Sequence, residues 1–420
     1  MRVWLITVGE PLPLPGVVDR PWRTGLLAQL LVRRGHDVVW WTSTVDHFTK
    51  RYFVEKDCEI RVQERLLLRF LHGRLYKRNV SFSRLANHRE IGAQFRRQIE
   101  QADRPDVIVC SFPTIELSVE AVRYGRRHGI PVLLDIRDLW PDIFLDVMPK
   151  RLRSLGRLLM RRSFAEAQEA LRGAKGLIGV SKRYLEWGLM KAGRTATALD
   201  QVFPLGYQMS EFNKSDEESL NDLLDSVRMQ RGVPLAVFVG TFGRTYDLDT
   251  VIRAARILEK EDVKVHFVLC GRGEHEDKWR NAARDLSNVS FSGWLNAGQL
   301  ACLLQRADIG LAAYAPAAPQ GIPNKVIEYM AAGIPLVSSL EGESAQIIAD
   351  ERCGLHYRAR DEQELVVALR KLLASCELRK QMGAAARTVF SRTFSADAVY
   401  GAMAEHVEQV ASSTMVSKTA

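Results

Sequence analysis

The chain has 420 residues, 46% hydrophobic and 26% charged, the balance of a water-soluble globular protein of roughly two or three domains. No run of eighteen apolar residues occurs, the longest candidate at 308–325 being broken by Pro316, Pro319 and Pro323, so no membrane span is expected. The net charge of +9 brings a polyanionic partner into consideration, either nucleic acid or anionic lipid, and the six scattered cysteines lack the close pairing of zinc ribbons or redox motifs.

The first eight residues carry no small-residue cleavage pattern and run directly into Gly9 and Pro11, so they read as a first strand, and a cytoplasmic, reducing environment is expected. Strands are predicted at 3–8, 38–41, 107–110, 132–134 and 177–180, alternating with helical patterns in the rhythm of a parallel sheet. Leu26, Leu27, Leu30 and Leu31 recur at helical spacing before Gly35, which secures one βαβ unit. A polar, acidic stretch at 210–225 follows Pro204 and Gly206. The rhythm then restarts with strands at 235–239, 263–269, 289–291, 309–312 and 336–338. The fold class is therefore α/β, with two doubly wound, Rossmann-like domains, 1–206 and 207–394. Because such sheets bind ligands at the carboxyl ends of their strands, two facing domains would share a cleft. A last helical pattern runs through Val399, Met403, His406 and Val410.

Candidate site residues lie in the loops after these strands. In the first domain, Gly16, Arg23 and Thr24 follow the first strand and could face an acceptor or a leaving diphosphate. The run 134–142, Leu-Asp-Ile-Arg-Asp-Leu-Trp-Pro-Asp, places polar groups at the end of another strand. There Asp138 is a candidate, the alternative being an Arg137–Asp138 pair that closes a turn. Two tracts, 65–84 and 150–162, each hold six Lys or Arg and no acid, interleaved with apolar side chains, a pattern suited either to an anionic membrane surface or to a solvated helix face. No recognisable nucleic-acid module accompanies them.

In the second domain, 238–244 is a strand running into a glycine loop, where Gly240 and Gly243 leave room for backbone N–H groups to approach phosphate and Arg244 adds charge. Asp247 and Asp249 form an Asp-x-Asp pattern known from metal sites, but Asp249 stands where a helix N-cap belongs, and no metal is expected. Arg272 lies in Gly-Arg-Gly-Glu after the next strand. A third glycine is missing at Glu276, which removes the main support for a nicotinamide or flavin enzyme, and no Walker sequence occurs. Trp294 follows the strand at 289–291. The most informative stretch is 320–333, Gln-Gly-Ile-Pro-Asn-Lys-Val-Ile-Glu-Tyr-Met-Ala-Ala-Gly: a Gly-Pro turn delivers a helix whose first turn has free N–H groups, with Gln320, Ile322, Asn324 and Lys325 at its start and Glu328 one turn on. Val326, Ile327, Met330 and Ala331 supply the core face of that helix.

The stretches at 134–142 and 320–333 resemble the family-4 retaining glycosyltransferases of the B fold, and in particular a subgroup that builds bacterial surface polysaccharides. The resemblance implies that Glu328 holds the ribose of a nucleoside diphosphate sugar and that Arg244, Lys325 and the helix start take its diphosphate. It further implies Gln320 at the transferred sugar, Trp294 and Arg272 beside the nucleotide, Asp138 on the acceptor side, and a terminal helix, 395–420, that packs back on the first domain. The sequence departs from the family pattern at four places: Gln320 replaces a glutamate, Arg137 a histidine, and Thr241 and Tyr246 the usual phosphate-clamping arginine and lysine. The expectation is transfer of a hexosyl or N-acetylhexosaminyl group, with retention and without metal or cofactor, to a polyprenyl-diphosphate-linked sugar at the inner face of the cell membrane. A nucleotide-sugar 2-epimerase, a synthase acting on a soluble small molecule and a non-catalytic assembly factor of similar fold are the alternatives.

Overall fold

The computed structural model describes residues 1–14, 21–78, 81–146, 148–227, 229–230, 232–316, 318 and 321–419, the side chains of 146 and 414–419 excepted. It divides into two compact units, residues 1–206 with 399–420, and residues 207–398. Both are α/β with a parallel sheet at the centre.

The first unit contains strands β1 (Arg2–Ile6), β2 (Asp37–Ser43), β3 (Cys58–Gln63), β4 (Leu66–Leu71), β5 (Val107–Phe112), β6 (Val132–Ile136), β7 (Gly176–Gly179) and β8 (Gln201–Val202), in the order β3-β4-β2-β1-β5-β6-β7-β8. All neighbours are parallel except β3 and β4. The central strands are apolar on both faces because helices cover both, and Trp4 anchors one side, stacked on Tyr124 at 5.3 Å and edge-on to Trp41 at 5.3 Å. The β3–β4 hairpin is an element that periodicity did not reveal. Leu66, Leu68, Phe70 and Tyr76, read from sequence as apolar members of a basic tract suited to a membrane surface or a solvated helix face, are buried here, and Arg69 folds over the Trp41 ring at 4.9 Å while pairing with Glu59. Residues 66–71 of that tract are therefore a sheet strand, and among its described residues Leu75 and Phe82 are large, apolar and exposed.

The second unit contains β9 (Leu235–Val239), β10 (His266–Cys270), β11 (Val289–Gly293), β12 (Ile309–Ala312), β13 (Leu336–Ser338) and β14 (Gly354–His356), all parallel, in the order β11-β10-β9-β12-β13-β14. The chain builds outward from β9 in one direction through β10 and β11, then returns to add β12, β13 and β14 on its other side. The loops after β9 and β12 thus flank the switch in strand order, where a crevice opens in such sheets.

The last helix, Ala396–Thr419, carries buried Tyr400, Met403, Val407 and Val410 into the first unit. Glu408 takes both Arg34 (2.8 and 2.7 Å) and His36 (2.6 Å) at the turn before β2.

Candidate functional site

In the second unit the candidate residues converge at the carboxyl ends of β9, β10 and β12. Gly240 has φ +156 and Gly271 φ +147, and a side chain on Gly271 would collide with the Gly240 carbonyl oxygen. The two loops therefore touch through bare backbone, tied by Gly240 N–H to Cys270 O (2.9 Å) and Phe242 N–H to Arg272 O (2.8 Å). On the other side of β9, Tyr246 bridges to Tyr314 of the loop after β12, their rings 5.0 Å apart.

Lys325 points into this enclosure. Its Nζ lies 3.7 Å from the Phe238 ring centre, 3.8 Å from Tyr246 and 5.1 Å from Tyr314, and among the described residues it has no hydrogen-bond partner. A Cβ on Gly240 would come within 2.8 Å of it, so the glycine is the thin wall between the amine and the loop. Burial pushes the Lys325 pKa well below its ordinary value, and the Glu328 carboxylate one turn along offsets this only in part. The ring faces favour the cation but satisfy none of its N–H donors.

The helix Asn324–Ala332 starts at Pro323 with no side-chain cap, leaving its first N–H groups to an outside acceptor, and Gly333 closes it in the left-handed conformation. Asn324 is exposed, Ile322 and Glu328 are half-buried, and Tyr329 fixes the helix to the sheet by accepting from Val239 N–H at 3.0 Å. Gln320 lies outside the described residues. Beside it Gly321 abuts Glu343, whose pKa is raised by burial. Arg244 stands at the rim, 85% exposed and paired with Glu274 at 3.0 Å; Arg272 and Trp294 are exposed, and nothing crowds Gly243. Asp247, not Asp249, caps the helix after the loop, accepting from Thr250 N–H (3.3 Å) and Oγ1 (2.7 Å), while Asp249 binds Lys278 at 2.6 Å. Among the described residues no cluster of His, Cys, Asp or Glu is arranged to hold a metal ion.

In the first unit a buried charge network occupies the ends of β1 and β6. Arg23 gives two hydrogen bonds to Asp135 (2.8 and 2.9 Å), Arg137 binds Asp135 (2.7 Å) and Glu10, and Glu10 accepts from Thr24 N–H and Oγ1. Burial alone would raise the Asp135 pKa; the two guanidiniums outweigh it and hold it below the usual range. The Arg137–Asp138 pair considered from sequence does not form. Asp138 instead accepts from Leu139 N–H (2.8 Å) and Trp140 Nε1 (3.0 Å) and lies within electrostatic reach of Arg84 and Tyr184. Sequence reasoning missed Glu10, Asp135 and the aromatic cage, although a carboxylate inside the apolar run Val-Leu-Leu-Asp-Ile was a signal that it must be paired. Gly16 lies outside the described residues.

Residues 22–186 match the family described as glycosyl transferase 4-like domain, and 224–389 match glycosyl transferases group 1. The chain belongs to the family-4 glycosyltransferases of the B fold. Among curated relatives, the D-inositol 3-phosphate glycosyltransferase of Corynebacterium aurimucosum is 29% identical over 177 residues, 39% of this chain and 41% of the relative. The match thus spans about two fifths of that relative's length. Among solved structures, the sucrose-phosphate synthase of Thermosynechococcus elongatus aligns with TM-score 0.67 and 17% identity over 98% of this chain and 99% of that one. Anabaena Alr3699/HepE in complex with UDP aligns with TM-score 0.63 and 13% identity over 97% and 100%.

Proposed function

We propose that this family-4 glycosyltransferase moves a sugar, with retention, from a nucleoside diphosphate donor held by the second unit to a polyprenyl-diphosphate-linked sugar held by the first, in bacterial surface polysaccharide synthesis. The observation that carries the donor half is Lys325: a buried amine without a hydrogen-bond partner among the described residues, beneath a glycine loop and beside a helix start with no side-chain cap. A diphosphate on that loop would supply the missing anion, and the free N–H groups of Asn324 and Lys325 would take its oxygens. The glycosidic bond to the diphosphate breaks, the acceptor hydroxyl oxygen bonds to the anomeric carbon, and the hydroxyl proton passes to the departing diphosphate oxygen. Preorganised N–H groups and Lys325 stabilise the charge growing on the leaving diphosphate without rearranging. Arg244 reaches that charge from the rim, Glu328 fixes the ribose, Gln320 the transferred sugar, and Arg272 and Trp294 flank the nucleotide. Asp138, oriented by Trp140, serves the acceptor side. No metal or cofactor is needed for these roles.

A membrane location is supported by 150–162. This tract forms a short 3-10 turn at Lys150–Leu152, a helix at Arg153–Leu159 and the start of a second helix at Arg161, with Leu152, Leu155, Leu158 and Leu159 exposed among the cations. Each cation near anionic lipid contributes about 1 kcal/mol, so this face suits the surface of a bilayer. The test of function is a thermal-shift panel of UDP, GDP, ADP and CDP sugars, followed by mass spectrometry of products on lipid-linked acceptors. A glycosylated acceptor supports transfer, an isomerised nucleotide sugar formed without acceptor supports epimerisation, and absence of donor binding defeats both.

A further inference from the structure

We infer that a groove in the first unit, between the helices Arg153–Leu159, Arg161–Gly173 and Lys182–Ala192, binds the diphosphate and first isoprenoid units of the acceptor. This rests on the acceptor class proposed above. The groove encloses about 450 Å³, within the ordinary range of small-molecule sites, and shares Arg157 with a second hollow of about 220 Å³.

Its chemistry is that of a site for a charged amphiphile. Arg157, Arg161 and Lys191 line the groove, and Arg153 joins Arg157 in the second hollow. Among the described lining residues the single carboxylate is Asp142, and it already takes Lys191 at 2.7 Å. Phe164, Trp187 and Met190 supply an apolar wall, and the charged heads lie over it: Arg157 is 5.2 Å from the Phe164 ring, and Lys191 is 5.6 Å from Phe164 and 5.8 Å from Trp187. Trp187 Nε1 is buried and, among the described residues, has no hydrogen-bond partner. The charges of Arg157 and Arg161 call for an anion with more than one charge, and the aromatic and thioether wall calls for hydrocarbon.

The groove adjoins the loop that carries Asp138. Pro141, at its edge, is three residues beyond Asp138, and the intervening Trp140 donates to Asp138. On the helix Lys182–Ala192, Tyr184, Trp187 and Lys191 recur at i, i+3 and i+7, one stripe about 10 Å long. Tyr184 is within reach of the Asp138 charge, while Trp187 and Lys191 line the groove. A diphosphate held by Lys191 and the arginines would present its attached sugar along this stripe toward Asp138.

The test uses the full chain and labelled farnesyl diphosphate in equilibrium dialysis. Arg157→Ala/Arg161→Ala should weaken binding by about 10-fold or more, the loss of two charge-assisted contacts. UDP affinity and circular dichroism should stay unchanged. Met190→Glu, at a position 65% exposed and so tolerant of substitution, should weaken it by opposing the isoprenoid chain. Equal binding by wild type and both variants, or no binding, overturns the inference. So does inorganic pyrophosphate binding as tightly as the farnesyl compound, which would mark an anion contact with no isoprenoid site. If no donor sugar is ever transferred but groove-dependent binding persists, the activity reading fails and the groove stands. If transfer proceeds equally well to an acceptor without lipid and in the double variant, the groove fails and the activity stands.

Discussion

The Nζ of Lys325 lies 3.8 Å from the centre of the ring of Tyr246, the position where the family resemblance led us to expect a phosphate-clamping cation. The two residues explain each other. On the proposed donor reading, the cation that the loop lacks would come from the helix behind it, its buried amine favoured in the charged form once an anion binds.

Lys325→Met should therefore separate function from folding. Turnover is expected to fall by about 100-fold or more, the scale of removing a donor to developing charge. Stability should rise, because Met replaces a buried amine without a hydrogen-bond partner. The pH sign follows from linkage: with its folded pKa lowered, Lys325 binds fewer protons folded than unfolded, so wild-type stability should climb with pH from the depressed folded pKa toward about 10.4. Chemical denaturation across that window should show the climb in wild type and lack it in Lys325→Met; parallel curves would remove the buried amine from the account.

Gly240→Ala tests the wall between loop and amine. The new methyl would stand 2.8 Å from Nζ and 3.4 Å from the Tyr246 ring, at a φ that L-residues rarely adopt. A loss of about 1–3 kcal/mol in stability and a weaker UDP affinity are expected. Thermal melts with and without UDP measure both, and an unaltered nucleotide-induced shift would show that the donor does not use this loop.

The two-domain α/β plan was legible in the sequence because apolar runs such as Leu235–Val239 and Ile309–Ala312 alternate with strongly periodic helices. The β3–β4 hairpin was not, since Arg69 and the flanking basic residues mimic a surface tract; only its partners, Trp41 and Glu59, reveal why an arginine sits in that strand. Within the site, the residues 240, 325 and 328 could be found from their pattern. Burial direction could not. Nothing in Asn-Lys-Val distinguishes a lysine reaching outward from one folded beneath three rings, because the enclosing side chains come from positions 238, 246 and 314. In the same way Asp138 was legible as a polar residue after a strand, but the partner of Arg137 was set by Glu10, more than a hundred residues away.

The Arg23–Asp135–Arg137–Glu10 network sets a large cost for single changes. Arg23→Ala leaves Asp135 buried with half of its counter-charge, and a loss of about 3–5 kcal/mol is expected. Arg23→Met/Asp135→Leu should recover part of that loss, since both charges leave together. Denaturant titration of the two variants decides the point: equal destabilisation would mean that packing, not charge, dominates.

Docking of the last helix should be acid-sensitive through Glu408. Its hydrogen bonds to Arg34, the largest effect, and to His36 lower its pKa to about 2, against about 4.3 for an ordinary glutamate. A depressed carboxyl contributes stability that is complete above the unfolded value and is lost as pH falls through the folded one, so the window runs from about pH 4.5 down to about 2. Because Glu408 is partly exposed, solvent screening limits the size of the effect, and the readout should be local. Hydrogen exchange of 399–413 is expected to accelerate across this window in wild type, and Glu408→Gln should exchange faster already at pH 7. Tyr400, whose hydroxyl accepts from Gly206 N–H at 3.2 Å, provides an anchor at the other end of the helix that does not depend on Glu408. Protection near Tyr400 should therefore outlast protection near Glu408, and simultaneous loss at both ends would show that the helix detaches as one body instead of fraying from its charged end.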